Sequence, residues 1–336
     1  MSRPACRAGK WPSCRQVIKV IPQASVIVPA RNAQATLPRT LAALAGQDFD
    51  ADYEVIVVDD GSTDRTAAAA RSARGPVRVM SQAPSGPAAA RNLGAAHSSG
   101  AVLAFCDADV YPTRGWLRAG LQSLATADLV QGMVVPDPLS PLGPFDRTIW
   151  VMSAVGLWEA ANLFVRRELF EQIGGFDDGI RPPTGKPLAE DVLFGQTARE
   201  LGARSRFCPE ALAHHAVFER DWRAYAGERW RRRFFPAIAR AAPGLRRSFF
   251  YRRWFLDARS ARFDLALAGG IAAFASGSPA PLFAAAPYLR VLRAHAQRGQ
   301  TAGRSGLTVA LVDVAADLVS LGALLHGSVR YRAAVL

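Results

Sequence analysis

Three short apolar runs constrain this chain more than any other feature: residues 25–29, 54–58 and 101–106 are rich in Val, Ile, Leu and Ala. Each is followed by a stretch of helical character. Strands that are apolar along their whole length must be covered on both faces, as in α/β proteins with a mostly parallel sheet and helices on either side. Ligands of such sheets bind beyond the carboxyl ends of the strands. Two of the runs end in acid, Asp59-Asp60 and Asp107-Ala108-Asp109, so the topology gathers carboxylates on one rim.

The pattern continues with a strand at 77–80, a Pro/Gly loop at 84–87 and a helix at 88–97. Proline-rich loops at 129–144 predict a change to mixed or antiparallel structure. A strand at 161–165, a helix at 167–172, the turn Gly174-Gly175-Phe176-Asp177 and a mobile loop at 182–187 come next. Glu190-Asp191 then opens a helix over 192–201, with acid in the first turn where the helix dipole favours it. Beyond 218 the composition turns to arginine interleaved with aromatics. Residues 265–289 carry no charge but are interrupted by Ser276-Gly277-Ser278-Pro279, which predicts a re-entrant hairpin or two short packed helices. Residues 307–327 are apolar again, with Asp313 and Asp317 one turn apart on a face that must meet protein or water. The plan is a basic leader (1–23), an α/β region (24–218), an arginine/aromatic helical region (219–263) and an apolar, membrane-associated helical tail (264–336).

With 50% hydrophobic and 21% charged residues the chain buries a sizeable core, which excludes general disorder. Lys plus Arg at 41 against Asp plus Glu at 28 gives +13, an attraction to polyanions. The arginines form no recognised nucleic-acid module and lie beside apolar segments, so an anionic membrane surface is the expected partner and nucleic acid is not. Cys6, Cys14, Cys106 and Cys208 make no CxxC pair, which predicts free thiols and a reducing compartment. The leader has basic residues but no apolar h-region.

Asp107 and Asp109 are hard oxygen ligands at the mouth of a sheet, suited to Mn²⁺ or Mg²⁺ whose remaining ligands come from a substrate diphosphate. A helix cap plus a solvent-facing acid is the competing reading. Asp59 and Asp60 have the chemistry to accept a hydrogen bond from a nucleobase imide, or to shape a turn that Asp64 caps. Glu190-Asp191 offers a general base for an attacking hydroxyl, or plain helix-terminal charge.

The ordered set Val-Ile-Val-Pro-Ala-Arg-Asn (26–32), Val-Val-Asp-Asp-Gly-Ser-Thr-Asp (57–64), Ala-Ala-Arg-Asn-Leu-Gly (89–94), Asp-Ala-Asp (107–109), Ile-Gly-Gly-Phe-Asp (173–177) and Glu-Asp-Val (190–192) resembles family 2 glycosyltransferases of the GT-A fold. The resemblance covers roughly residues 24–218. It implies a nucleotide-diphospho-sugar donor, Mn²⁺ or Mg²⁺, a hydroxyl acceptor and inversion at the anomeric carbon. By position, Pro29, Arg31, Asp59, Asp60, Arg91 and Asp107 would bind the nucleotide sugar. Asp109, with Asp107 and His215 or its neighbour His214, would hold the metal. Asp191, with Glu190 beside it, matches the catalytic base, and Gly174, Gly175, Phe176 and Asp177 would shape the acceptor side. Processive members carry Gln-x-x-Arg-Trp, whereas Ala226 precedes Arg229-Trp230 here, so a single sugar is expected to be added, to a lipid-linked or cell-envelope acceptor at the cytoplasmic face of a membrane. The competing classes are a sugar-phosphate nucleotidyltransferase, whose early Gly-rich basic loop is missing near 25–35, and a non-catalytic membrane- or polyanion-binding protein.

Overall fold

The computed structural model describes residues 22–177, 179–181 and 187–336. The leader up to residue 21, with Cys6 and Cys14, and most of the loop expected at 182–187 lie outside the described residues. An eight-stranded sheet has the order β3-β2-β1-β4-β7-β6-β8-β5. In chain order its elements run β1 (Ala24–Ala30), α1 (Leu37–Ala45), β2 (Tyr53–Asp60), α2 (Thr66–Arg71), β3 (Val77–Gln82), α3 (Pro87–Ala96) and β4 (Val102–Cys106). Then come β5 (Val110–Pro112), α4 (Trp116–Ser123), β6 (Leu129–Pro136), β7 (Asn162–Arg166), α5 (Arg167–Ile173), α6 (Glu190–Glu200) and β8 (Ser205–His215). The first four strands in the order pair in parallel. β7 is antiparallel to β4 and β6, β8 is parallel to β6, and β5 is antiparallel to β8. The change of direction falls in the second half of the sheet, where proline-rich loops replace the simple strand-helix alternation.

Alternation along each strand divides the core in two. Val26, Val28, Val55 and Val57 pack with Leu37, Leu41 and Leu44 of α1 and with Trp116 and Leu117 of α4. Ile27, Ile56, Val58, Leu103 and Phe105 pack on the other face with Ala90, Phe170, Phe176 and Phe194 from α3, α5 and α6 and their connections. Both faces are buried, as the apolar runs require. Cys106 and Cys208 are free and buried.

The remaining chain is helical: α7 (Trp222–Glu228), a 3₁₀ turn (Arg229–Phe234), α8 (Phe235–Ala241), α9 (Leu245–Ser248), α10 (Ala258–Ser276), a second 3₁₀ turn (Ala280–Ala285), α11 (Ala286–Thr301) and α12 (Gly306–Tyr331). The interruption at 276–279 turns the chain between α10 and α11, which gives packed helices where the sequence allowed a re-entrant hairpin. Asp313 and Asp317 of α12 are buried. Arg259 reaches both, at 2.9 Å from each. Tyr225 and Tyr288 donate to them at 3.0 and 2.7 Å, and His295 lies 2.6 Å from Asp313. That face of α12 meets protein, as the cost of unpaired buried carboxylates demands.

Candidate active site

Parallel pairing aligns the carboxyl ends of β1, β2 and β4, so Pro29 and Arg31, Asp59 and Asp60, and Asp107 and Asp109 share one rim. Asp60 is spent on architecture: its carboxylate accepts from Gln82 Nε2 (2.8 Å), Ser85 N (2.7 Å) and Gly86 N (2.9 Å), and Arg31 stands 3.8 Å away. It pins the 82–86 loop above the rim. Among the described residues Asp59 accepts only from Ser62 N, at 3.2 Å, and keeps acceptor capacity for a ligand. Asp64 accepts from Gln34 N and from Thr66 N and Oγ, which closes the turn at the start of α2. Gly61 adopts φ +67°, and a Cβ there would lie 2.6 Å from Pro84, so this turn requires glycine.

Arg91 ties the rim together. Nearly buried on α3, it donates to Asp107 at 2.8 Å and to Glu190 at 3.1 Å, and its guanidinium lies 5.5 Å over the Phe176 ring. Burial works against its charge, but Asp107, Glu190 and Asp191 outweigh that and hold its pKa above the ordinary value. Arg91, expected among the nucleotide-sugar-binding residues, links Asp107 after β4 to Glu190 at the start of α6. Its Nε is buried and has no partner among the described residues.

His215 reaches the rim through a register shift. β6 and β8 pair from Leu129↔Ser205 to Gly132↔Cys208, then resume at Met133↔Leu212. Asn162 stabilises this bulge, donating to Met133 O (2.9 Å) and Ala211 O (2.8 Å) while accepting from Trp116 Nε1 (2.8 Å). The strand then sets His215 opposite Val110, one residue from Asp109. His214 is its neighbour in the strand and pairs with Tyr111. His215 Nδ1 lies 2.6 Å from Ala216 O, an acceptor only, so Nδ1 carries the proton and donates. In the neutral ring Nε2 then presents a lone pair toward Asp109 Oδ2, 3.6 Å away.

Two acceptors facing each other beyond hydrogen-bond range form a fork that fits a divalent cation, with the backbone carbonyl fixing the histidine tautomer. Burial and Asp107 raise the pKa of Asp109, while His215 and Arg147 pull it back. Among the described residues no cluster of three or more His, Cys, Asp or Glu side chains has metal-binding geometry. A cation held by Asp109 and His215 would need further ligands from a substrate, as Mg²⁺ and Mn²⁺ commonly take from diphosphates.

The acidic start of α6 completes the set. Asp191 Oδ1 accepts from Val192 N at 2.9 Å. Burial first, then Glu190, pushes its carboxyl up to about 8, with Glu159 adding to the rise and Arg91 opposing it. Glu159 is itself raised by burial. No motif marks Glu159, Trp158 or Thr148 in the sequence; they approach α6 and His215 only through the fold. Gly195 lets α6 lie directly on the Trp158 ring, which occupies the space a Cβ would need. In the turn after α5, Asn92 Nδ2 donates to Phe176 O (2.7 Å) and Asn92 Oδ1 accepts from Phe176 N (2.9 Å). Phe176 is core, so Gly174, Gly175, Phe176 and Asp177 present mainly backbone and one acid to a cavity of about 500 Å³ that Leu193 and Thr197 also line.

Residues 25–173 match the family model "Glycosyl transferase family 2". The chain is 30% identical to glycosyltransferase AglE of Haloferax volcanii over 58% of its own length and 67% of that protein. It is 33% identical to the pre-mycofactocin glycosyltransferase of Mycobacterium tuberculosis, over 59% of this chain and 44% of that one. Probable glycosyltransferase YdaM of Bacillus subtilis is 29% identical over 66% of this chain and 56% of its own, so this chain spans about half the length of these two relatives. Among solved structures, mannosyltransferase PcManGT of Pyrobaculum calidifontis, in complex with GDP-Man and Mn²⁺, shares the fold at TM-score 0.58 and 23% identity, over 90% of this chain and 88% of that one. The motifs, the sheet that aligns them and these relatives agree: the chain belongs to glycosyltransferase family 2, with a GT-A type fold, and is a glycosyltransferase.

Proposed function

We propose that this enzyme transfers one sugar, with inversion, from a nucleotide-diphospho-sugar to an acceptor hydroxyl that is lipid-linked or part of a cell-envelope glycan. The observation that carries the reading is the convergence of Asp59, Asp107, Asp109 and the Glu190-Asp191 helix start on one rim, with Arg91 bridging Asp107 and Glu190. Asp59 accepts from the base, Pro29 and Arg31 flank it, and Asp107 faces the ribose or metal. Asp109 and His215 hold Mn²⁺ or Mg²⁺, which when bound offsets negative charge on the departing nucleoside diphosphate. The GDP-Man and Mn²⁺ in the PcManGT complex are compatible with this assignment.

Asp191 takes the proton of the acceptor hydroxyl as its oxygen bonds to the anomeric carbon. The bond from that carbon to the diphosphate oxygen breaks, and its electron pair leaves with the nucleoside diphosphate. A carboxyl raised by burial is a stronger base than an ordinary aspartate, and Arg91 holds the neighbouring Glu190 in place. One displacement of this kind inverts the configuration and needs no covalent intermediate.

Membrane association is part of the proposal. α12 is long and apolar enough to cross a membrane, and 44% of its most apolar window is buried within the protein. Leu307, Leu311, Leu318 and Val329 are exposed on it, as are Ile271 and Phe274 of α10 and Phe283 of the following turn. The basic, aromatic region suits the cytoplasmic headgroup layer. Incubation with a panel of nucleotide sugars and Mn²⁺, read by proton NMR of the slowly freed sugar, tests the reading. Release of the inverted anomer is expected; a retained anomer, or no hydrolysis of any donor, overturns it.

A further inference from the structure

A cavity of about 610 Å³ lies between the sheet and the arginine-rich segment. Its sheet side includes Thr148, whose hydroxyl is 3.3 Å from His215 Nδ1, and Leu188, two residues before Glu190. The facing side carries Arg220, Arg229, Arg231 and Arg232 together with Phe235. These cations are unevenly matched. Glu228 pairs with Arg220, and Asp257 stands 3.5 Å from Arg232. Asp146 also lines the cavity; its carboxylate accepts from Gly143 N, at 2.7 Å, and its charge offsets part of the repulsion on Arg220. Arg229 donates to the Tyr225 hydroxyl at 2.8 Å and Arg231 is exposed, and neither has a carboxylate partner among the described residues.

The crowding is visible in the charges. Burial and then Arg229 push Arg232 down to about 10, and burial, Arg147 and Arg229 lower Arg220. An anion among these groups relieves repulsion and gains charge-assisted hydrogen bonds, and guanidinium is shaped for the oxygens of phosphate. The site is also apolar on one side. A neighbouring cavity of about 450 Å³ shares Arg232 and Phe235 and continues past Phe249, Tyr251 and Leu256. Asp257 and Ala258 complete its wall, and its aromatic and aliphatic side offers a path for an apolar chain leading away from Arg220, Arg229 and Arg231.

We infer that the arginine-lined cavity binds the phosphate group of an acceptor whose adjoining part is apolar, and so delivers that acceptor to the base side of the site. This rests on the glycosyl-transfer reading above, since the donor's own diphosphate belongs at Asp109 on the far side of His215. The ligand class is a phosphate ester with an apolar chain on one side of the phosphate and the hydroxyl-bearing acceptor group on the other; hexyl phosphate carries the phosphate and the apolar part alone.

Calorimetry on the full chain in neutral detergent, with hexyl phosphate, inorganic phosphate and hexyl glucoside as probes, tests it. Hexyl phosphate should bind more tightly than either control, and Arg231→Gln and Arg229→Gln should each weaken it about 10-fold, the size of a lost charge-assisted contact. Arg231→Gln disturbs no observed contact, and Arg71→Gln, exposed on α2, is the charge-matched control that should change nothing. Equal affinity in all variants, or equal binding of hexyl glucoside, overturns the inference. Inorganic phosphate binding as tightly as hexyl phosphate would mark a free-anion site and also overturn it. Anionic vesicles held through Arg229 and Arg231, without binding of dispersed hexyl phosphate, would assign these residues to the membrane surface instead. If the wild type hydrolyses nucleotide sugars yet ignores hexyl phosphate, this inference alone fails. If it binds hexyl phosphate yet hydrolyses none, the glycosyl-transfer reading fails.

Discussion

At the scale of single residues, neighbouring carboxylates of the same type do different work. Asp60, with three donors on its oxygens, holds a loop, whereas Asp59 beside it keeps a lone pair free. Asp191 is pushed up to about 8 by burial and Glu190, so in the free enzyme it is protonated below that pH and competent as a base above it. The expected outcome is a kcat/KM that rises tenfold per pH unit below about 8 and levels above it. A pH profile flat from 6 to 9 would remove Asp191 from the base role. Asp191→Asn should leave donor binding nearly intact and lower kcat about 10²-fold or more, as loss of a general base does. Full turnover in that variant with loss in Glu190→Gln would exchange the two roles. These carboxylates were legible from their positions at strand and helix ends. Their division of labour was not, because it depends on donors such as Gln82 and Gly86 that only the folded chain brings near.

At the scale of elements, the parallel half of the sheet follows from the runs at 25–29, 54–58 and 101–106, whose lack of polar positions leaves no solvent-facing side. The second half resists reading because its key event is a bulge. Pro209 is the one mark in residues 205–215 of a break in the ladder, but it gives neither the size of the shift in the pairing with β6 nor its result, which sets His215 opposite Val110 and next to Asp109. Asn162 holds it, and its sequence context shows only a strand start. The placement of α6 is likewise tertiary, set by Gly195 against Trp158. Gly195→Ala should force the helix off that ring, lower stability by about 1–3 kcal/mol as overpacking does, and reduce kcat by displacing Asp191. Chemical denaturation with parallel kinetics measures both. An unchanged midpoint together with unchanged kcat would show that α6 is positioned by other contacts.

At the scale of the whole molecule, an acidic rim, an arginine-lined wall and an apolar helical layer follow one another along the chain. The apolar layer was legible from composition. Its internal ion network was legible only as a demand for partners, which Arg259, Tyr225, Tyr288 and His295 meet. If the exposed side of that layer enters lipid, cell fractionation should find the full chain in membranes after a 1 M salt wash, where screening reaches only ~3 Å, and detergent should release it. Recovery in the soluble fraction at low salt would contradict the membrane assignment. The rim should bind a nucleoside diphosphate through a divalent cation held by this chain. Calorimetry of UDP and GDP with the wild type and Asp109→Ala, with Mn²⁺ and with EDTA, tests it most directly. One nucleotide should bind the wild type at least tenfold more tightly with Mn²⁺, and Asp109→Ala should abolish that difference; equal Mn²⁺ dependence in the two proteins would contradict the account.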